Sequence, residues 1–461
     1  MTDELREHFE SLRDREFRRL DESDQVYLDY TGSGLYAESQ LRRQEEFLRR
    51  HVLGNPHSES PASARATEIV ERARREVLDF FGADPEEYVV AFTANASAAL
   101  KLVGEAYPFD EHSRFLLLED NHNSVQGIRI YAEAHKADVR FLPLTEELRI
   151  EDGVDIPPAG DGPSLFSFPG QSNFSGVKHP LSWVQRAQDL GYDVALDAAA
   201  FAPTSLLNLS EVSPEFVCVS FYKMFGFPTG VGALIGKREA LGRLRRPWFA
   251  GGTVEYVSVQ SRAHRLRVGA EAFEDGTPNF LGIIAVPAGL EFLRQVGMEK
   301  IRDRIEDLTG RLVGIFTDAK HSNGLPAVVL YGPANTEDRG GTVAFNMVDP
   351  TGHIVPYGDV ERAASARGIS IRGGCFCNPG AAEAAFGMPA EESLNCFEAM
   401  PRGQFSLKEL AHCLGNDVAV GALRASIGIA TNHADLDRLE AFLRDFVAQM
   451  HPVPTEMEEG S

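Results

Sequence analysis

A lysine stands between an apolar stretch and a loop rich in glycine and proline, in Cys218-Val219-Ser220-Phe221-Tyr222-Lys223-Met224-Phe225-Gly226-Phe227-Pro228-Thr229-Gly230. Loops at the carboxyl ends of parallel strands are where open α/β sheets hold ligands. An amine placed there loses water, which lowers its pKa and frees it to form a Schiff base with an aldehyde such as pyridoxal phosphate. A solvated surface lysine would look the same, and context alone does not separate the two accounts. Scarcity adds weight, because only 8 of the 45 basic residues are Lys.

Other segments offer chemistry that fits such an amine. Asp197 closes the run Leu196-Asp197-Ala198-Ala199-Ala200. A carboxylate there would keep a pyridine nitrogen protonated and the ring able to accept electrons; a helix cap would use the same residue. Around Phe92-Thr93-Ala94-Asn95-Ala96-Ser97 a strand runs into a helix. Its first N–H groups, with the Ser97 hydroxyl, would hold a phosphate, although a plain cap is the simpler account. His122, in Glu119-Asp120-Asn121-His122-Asn123-Ser124, presents a flat ring for stacking or a hydrogen-bonded structural imidazole. Gly170 to Gly176 is a polar turn suited to a phenolic oxygen or a carboxylate, or simply a surface turn.

Ile371 to Gly380 places Cys375 and Cys377 in a loop bounded by Gly and Pro, a better place for a travelling nucleophile than for core thiols. No second Cys/His pair stands at zinc spacing, so no metal is expected. Arg424, inside Leu423-Arg424-Ala425-Ser426, needs an anionic partner: a substrate carboxylate or an internal ion pair.

These positions require a scaffold that alternates short apolar runs with helices. Strands are expected at 26–30, 88–93, 114–119, 139–142, 164–168, 194–197, 216–221 and 231–235. Helices are expected at 2–20, 64–81, 98–106, 125–135 and 181–190. A long helical stretch at 280–319 leads into strands at 327–331, 341–348 and near 421–426, with helices near 358–367 and at 434–449. Continuous apolar strands interleaved with helices argue for a largely parallel sheet covered on both faces.

Length and composition set the limits. The chain has 461 residues and a formal net charge of -23. That charge speaks against nucleic acid and against anionic lipid. No run reaches the length of a membrane span and no signal peptide is visible, so a cytoplasmic location is expected. Five irregularly spaced cysteines do not suggest a disulfide scaffold.

The order of these pieces resembles the fold-type I, class V pyridoxal-phosphate enzymes of the cysteine desulfurase group. Within that group it is most similar to the N-terminal, desulfurase-like domain of the molybdenum cofactor sulfurases. The resemblance rests on Tyr27-Leu28-Asp29, Gly54-Asn55-Pro56-His57-Ser58, Phe92-Thr93-Ala94, Ala98 through Val103 and Gln171 through Val177. It rests further on Ser220 through Gly230, Phe273 through Thr277, and Arg372 through Gly380, with Gly373 where the family usually has Thr.

The resemblance implies an α/β fold, with a mainly parallel seven-stranded sheet in a large domain at 25–295. It also implies a smaller α/β C-terminal domain at 296–450 carrying the Cys loop, an N-terminal helical arm at 1–24 and an acidic tail at 451–461. The cofactor implied is pyridoxal 5'-phosphate. Lys223 would carry it, Asp197 would pair with its ring nitrogen, His122 would stack on it, and Ala96, Ser97 and Ser220 would hold its phosphate. Thr277 would reach the phosphate of the neighbouring subunit in a homodimer. Asn173 and Arg424 would hold the substrate carboxylate, with Arg372 beside them. Cys377 matches the sulfur-accepting nucleophile. The implied activity is that of a cysteine desulfurase or sulfurtransferase. L-cysteine or a related sulfur amino acid would leave a persulfide on Cys377 and depart as alanine, and the sulfur would pass to a separate acceptor, with molybdenum cofactor sulfuration as one such route.

Departures from the pattern are Ala200 and Tyr222, where ordinary desulfurases carry Gln and His, and the turn at 30–34. The sequence also ends where the eukaryotic sulfurases continue into a second domain, so a separate acceptor is expected. The alternative activity is a class V enzyme of different outcome: a C–S lyase, epimerase or aminotransferase. A non-catalytic sulfur carrier is disfavoured by the retained Lys223, Asp197 and His122. A nucleotide-binding protein is disfavoured because no P-loop or GxGxxG follows an expected strand.

Overall fold

Strands buried on both faces must be largely apolar, and the inner strands of the large sheet read that way, whereas the edge strand Asp138–Leu142 is mostly exposed. The computed structural model describes residues 2–450, apart from 152, 389, 402, 404–405 and 416–418. The acidic tail expected at 451–461 lies outside the described residues. Seven strands form the large sheet: β1 (Tyr88–Thr93), β2 (Arg114–Leu118), β3 (Asp138–Leu142), β4 (Leu165–Pro169), β5 (Asp193–Asp197), β6 (Phe216–Ser220) and β7 (Gly232–Lys237). Their order is β1-β7-β6-β5-β4-β2-β3. Only β7 runs against its neighbours; the other pairs are parallel. Alternate residues of one strand feed opposite cores, as the period of two requires. In β6, Val217 and Val219 join one buried cluster while Phe216 and Cys218 join the other.

A second sheet follows: β8 (Val328–Tyr331), β9 (Thr342–Met347), β10 (Arg372–Gly374) and β11 (Ala422–Ser426), in the order β8-β9-β11-β10. All its pairs are antiparallel. Between the sheets, the stretch expected as one long helix at 280–319 is three helices, Phe280–Ile283, Val286–Val296 and Met298–Asp318. The last two bend by 69° at Gly297, whose φ of +92° suits glycine alone. No single helix among the described residues is long and apolar enough to cross a membrane.

The N-terminus is tied to the second sheet and its neighbouring elements. Helix Asp3–Glu16 buries Phe9 and Leu12, and its Arg13 donates to Asp435 at 2.6 Å in a buried ion pair. The strand expected at 26–30 is only Val26–Tyr27, paired in parallel with Ile369–Ser370. Asp29 then bridges to Ser426 of β11. The helix Glu38–Arg50 was not anticipated; its residues are polar and mostly exposed. Cys396 and Cys413 form a disulfide between the helices Ala390–Ala399 and Leu407–Leu414, a pairing that their spacing did not suggest.

Candidate active site

The carboxyl ends of β1, β2, β4, β5 and β6 converge on one cavity. It is lined by Asn95, Ala96, Ser97, His122, Gln171, Asn173, Asp197, Ala200, Ser220, Tyr222 and Lys223. Lys223 arrives there because β6 ends at Ser220 and the chain makes a single short helix, Phe221–Phe225, anchored by the buried Phe221 and Phe225. Gly226, at φ +78°, stops that helix. A Cβ at this position would lie 2.2 Å from the backbone nitrogen of Tyr36, so only glycine lets the N-terminal segment close over the lysine loop. Gly34 donates its N–H to the Tyr222 carbonyl from the same side.

Electrostatics prepare the amine. Burial pushes the Lys223 pKa below its ordinary value; Asp197 opposes this, and Arg424 and Arg372 reinforce it. Negative charge on Cys377 also raises it, which puts that thiol within electrostatic reach of the amine. Asp197 is 7% exposed and accepts from the Ala199 N–H at 3.0 Å. His122 caps the helix Asn123–Gln126, its Nδ1 accepting from the Ser124 N–H at 3.1 Å, so that its proton sits on Nε2. Burial lowers its pKa and favours the neutral ring.

At β1 the helix begins at Ala96, two residues earlier than expected, with Asn95 as its cap. Ala96 donates its N–H to the Ser220 hydroxyl at 2.8 Å, and the Ser97 and Ser124 hydroxyls meet at 2.6 Å. Hydroxyls and a helix N-terminus thus gather at one corner. Thr277 lies elsewhere: it is exposed, accepts from Asn55 Nδ2 at 3.4 Å, and lines a separate cavity with Phe92, Thr93 and Ala94.

The two cysteines of the loop differ. Cys375 is half-buried and donates its thiol to the Val420 carbonyl at 3.1 Å. Burial pushes its pKa up to about 11, so it stays a thiol at neutral pH. Cys377 is exposed, with φ +57°, and its carbonyl accepts from the Asn123 N–H at 2.7 Å.

All three of the expected substrate-binding residues already have protein partners. Asn173 donates Nδ2 to the Phe376 carbonyl at 2.6 Å, and its Oδ1 accepts from Asn378 at 3.0 Å. Arg424 donates to the Asn173 carbonyl at 2.9 Å and to Asp29 at 3.2 Å, and its guanidinium lies 4.6 Å from the Phe376 ring centre. Arg372 faces Arg424 across the β10–β11 pair and donates Nε and Nη2 to the same Asp29. Burial lowers the Arg424 pKa to about 10 although Asp29 opposes the shift. The internal ion pair, one of the two accounts open for Arg424, is therefore present.

Sequence reasoning missed Asp29, although it stands within a quoted string. It also missed Asp120, fully buried, which accepts from Ser172 at 2.7 Å, His179 at 2.8 Å and Asn378 at 2.7 Å. Asp120 precedes His122 by two residues, and its position after a strand was the only signal. Glu274 was missed as well. It pairs with buried Arg74 at 2.6 Å and accepts from the Phe92 N–H at 2.7 Å, fixing the 273–277 segment to β1.

This architecture has relatives. Residues 26–439 match the aminotransferase class-V family. The chain belongs to that family. A class-V chain of this kind is similar to the molybdenum cofactor sulfurase of Bos taurus, 36% identical over 98% of this chain and 54% of the relative. It is 37% identical to that of Drosophila mojavensis, over 95% of this chain and 59% of the relative. It thus spans a little over half the length of the curated relatives it matches. Among solved structures, the apo cysteine desulfurase from Thermococcus onnurineus NA1 superposes with a TM-score of 0.74 at 24% identity, covering 95% of this chain and 98% of that one. The cysteine desulfurase CsdA of Escherichia coli, in an S-sulfonic acid form, gives 0.73 at 21%, covering 96% and 99%. These likenesses support the class-V fold seen here, a large mainly parallel sheet with a smaller α/β part.

Proposed function

We propose that the protein is a pyridoxal-phosphate-dependent cysteine desulfurase that leaves a persulfide on Cys377 and releases alanine, serving sulfuration of the molybdenum cofactor through an acceptor. The observation that carries this reading is the Cys loop. Cys375 is committed to a hydrogen bond as a thiol, whereas Cys377 is exposed and electrostatically coupled to Lys223 and Arg424.

The residues present fit the cofactor. A desolvated amine suits its aldehyde, a buried carboxylate at the end of β5 suits its ring nitrogen, and the hydroxyls of Ser97 and Ser220 at a helix N-terminus suit its phosphate. When bound, the cofactor supplies an electron sink for bonds broken at the substrate. Burial lowers the Lys223 pKa, which eases its taking and returning protons at the substrate. His122 lines the cavity, and burial favours its neutral ring, so it adds no charge there. Arg424 and Arg372 carry two positive charges against the single Asp29 carboxylate, which leaves one charge for one substrate carboxylate. The Cys377 thiolate attacks the substrate sulfur. Its electron pair forms the S–S bond, the S–C pair stays with the three-carbon fragment, and a proton completes alanine.

We also propose a homodimer in which Thr277 serves the partner's phosphate, consistent with its exposure away from its own Lys223. The test is to incubate the cofactor-loaded protein with L-cysteine and measure alanine and protein-bound persulfide beside Cys377→Ser. Loss of both products in the variant is expected. Alanine formed independently of Cys377 would overturn the role of Cys377, and pyruvate in place of alanine would replace this reading with a C–S lyase.

A further inference from the structure

The seat expected for a substrate carboxylate, between Asn173 and Arg424, is held by one residue of the Cys loop. The Phe376 carbonyl takes the Asn173 Nδ2 proton at 2.6 Å, and the Phe376 ring lies 4.6 Å from the Arg424 guanidinium. The ring also packs on buried Phe174, with centroids 5.5 Å apart. Phe376 and Cys377 both have positive φ, +55° and +57°, in consecutive non-glycine residues. Such backbone persists only where its surroundings over-determine it. The neighbours do so here: Asn123 N–H to Cys377 O at 2.7 Å on one side, and Asn378 to Asp120 at 2.7 Å on the other.

The Phe376 carbonyl and ring mimic, in part, what an incoming carboxylate would do, since each places electron density against Asn173 Nδ2 or the guanidinium. While the loop is docked, the Asn173 Nδ2–H given to the Phe376 carbonyl is withheld from a carboxylate, and the ring crowds the Arg424 guanidinium that a carboxylate would approach along its N–H edge.

We propose that Phe376 is a positioning residue: it occupies the carboxylate seat while the loop is docked, and the arriving substrate carboxylate displaces it, releasing the strained turn so that Cys377 can move onto the substrate sulfur. This deepens the desulfurase reading and rests on it for the identity of the substrate. The latch between Phe376 and Asn173/Arg424 does not depend on it.

Phe376→Ala removes the ring that competes for Arg424 and loosens the turn. The Michaelis constant for L-cysteine should fall about fivefold, the equivalent of one partly desolvated cation–π contact. Because the turn no longer waits for substrate to release it, persulfide formation on Cys377 in a single turnover at subsaturating L-cysteine should quicken by about the same factor. Phe376→Tyr keeps the ring and should restore both. A residue that merely supported the fold would raise the Michaelis constant or leave it unchanged, and either result would overturn the proposal. The second measurement needs no turnover. In ligand-free protein, hydrogen exchange at the amides of 375–378 and of Asn123 should quicken at least severalfold in Phe376→Ala and stay near the wild-type rate in Phe376→Tyr. Equal exchange in all three proteins would also overturn it. Failure to release any alanine would sink the desulfurase reading instead, leaving exchange to decide the latch.

Discussion

Asp29→Asn is the most informative single change, because one carboxylate serves two guanidiniums of opposite character. Arg424 is 3% exposed and Asp29 8% exposed, so removing the charge strands a buried cation. Breaking such a buried pair costs about 3–5 kcal/mol. The side chain of Arg372 is half exposed, so its share is no more than about 1 kcal/mol. Asn keeps the shape and returns about 1 kcal/mol of hydrogen bonding. The net loss is about 3–4 kcal/mol, which most folded proteins of 5–15 kcal/mol survive. The variant should therefore fold, and its unfolding free energy in urea should fall by that amount. With Asp29 gone, only the smaller effect of Cys377 opposes burial of Arg424, whose pKa drops further. The alkaline limb of the activity profile should move to lower pH. Its fork loses its orientation as well, and the Michaelis constant for L-cysteine should rise about tenfold, as the loss of roughly 1.4 kcal/mol of binding predicts. Asp29→Glu should recover part of each effect. A variant with wild-type stability, a Michaelis constant within twofold and an unmoved alkaline limb would refute the reasoning.

Other outcomes follow from the same geometry. The Cys375 pKa is raised to about 11 from the ordinary 9.0, so its contribution to stability is complete below pH 9 and is lost as pH rises through 11. Between those values, urea titrations of the wild type should show about 2 kcal/mol more loss than Cys375→Ala, with persulfide formation at pH 7 unaffected. Asn378→Ala removes the bonds to Asp120 and Asn173; single-turnover persulfide formation should slow about tenfold while the absorbance of bound cofactor stays unchanged.

The strands of the large sheet were legible because burial on both faces demands unbroken apolar runs, a demand local enough to read. Lys223 was legible for the same reason: it breaks such a run at its carboxyl end. β10 was not. Arg372, Gly373 and Gly374 have no strand propensity, and they form a strand only because β11 offers an edge. The partner of Arg424 was hidden similarly, since no local pattern links it to Asp29. Asn173 was read as holding a substrate carboxylate; that its side chain also holds the Cys loop, through Phe376 and Asn378, was not legible. Loop docking of that kind leaves no periodicity to detect.

The Asp29–Arg424 contact joins residues 395 positions apart. A ribosome adding roughly 5–20 residues each second needs about 20–80 s to cover that distance. The large sheet, which closes within residues 88–237, has every strand in hand much earlier. Val26 and Leu28, both wholly buried in the finished molecule, must wait for partners at Ile369, Ser370 and Ser426. The carboxylate seat thus forms only once β11 has been made, and a nascent chain stalled before β11 would carry a complete lysine cradle without the Arg424 that belongs to the seat.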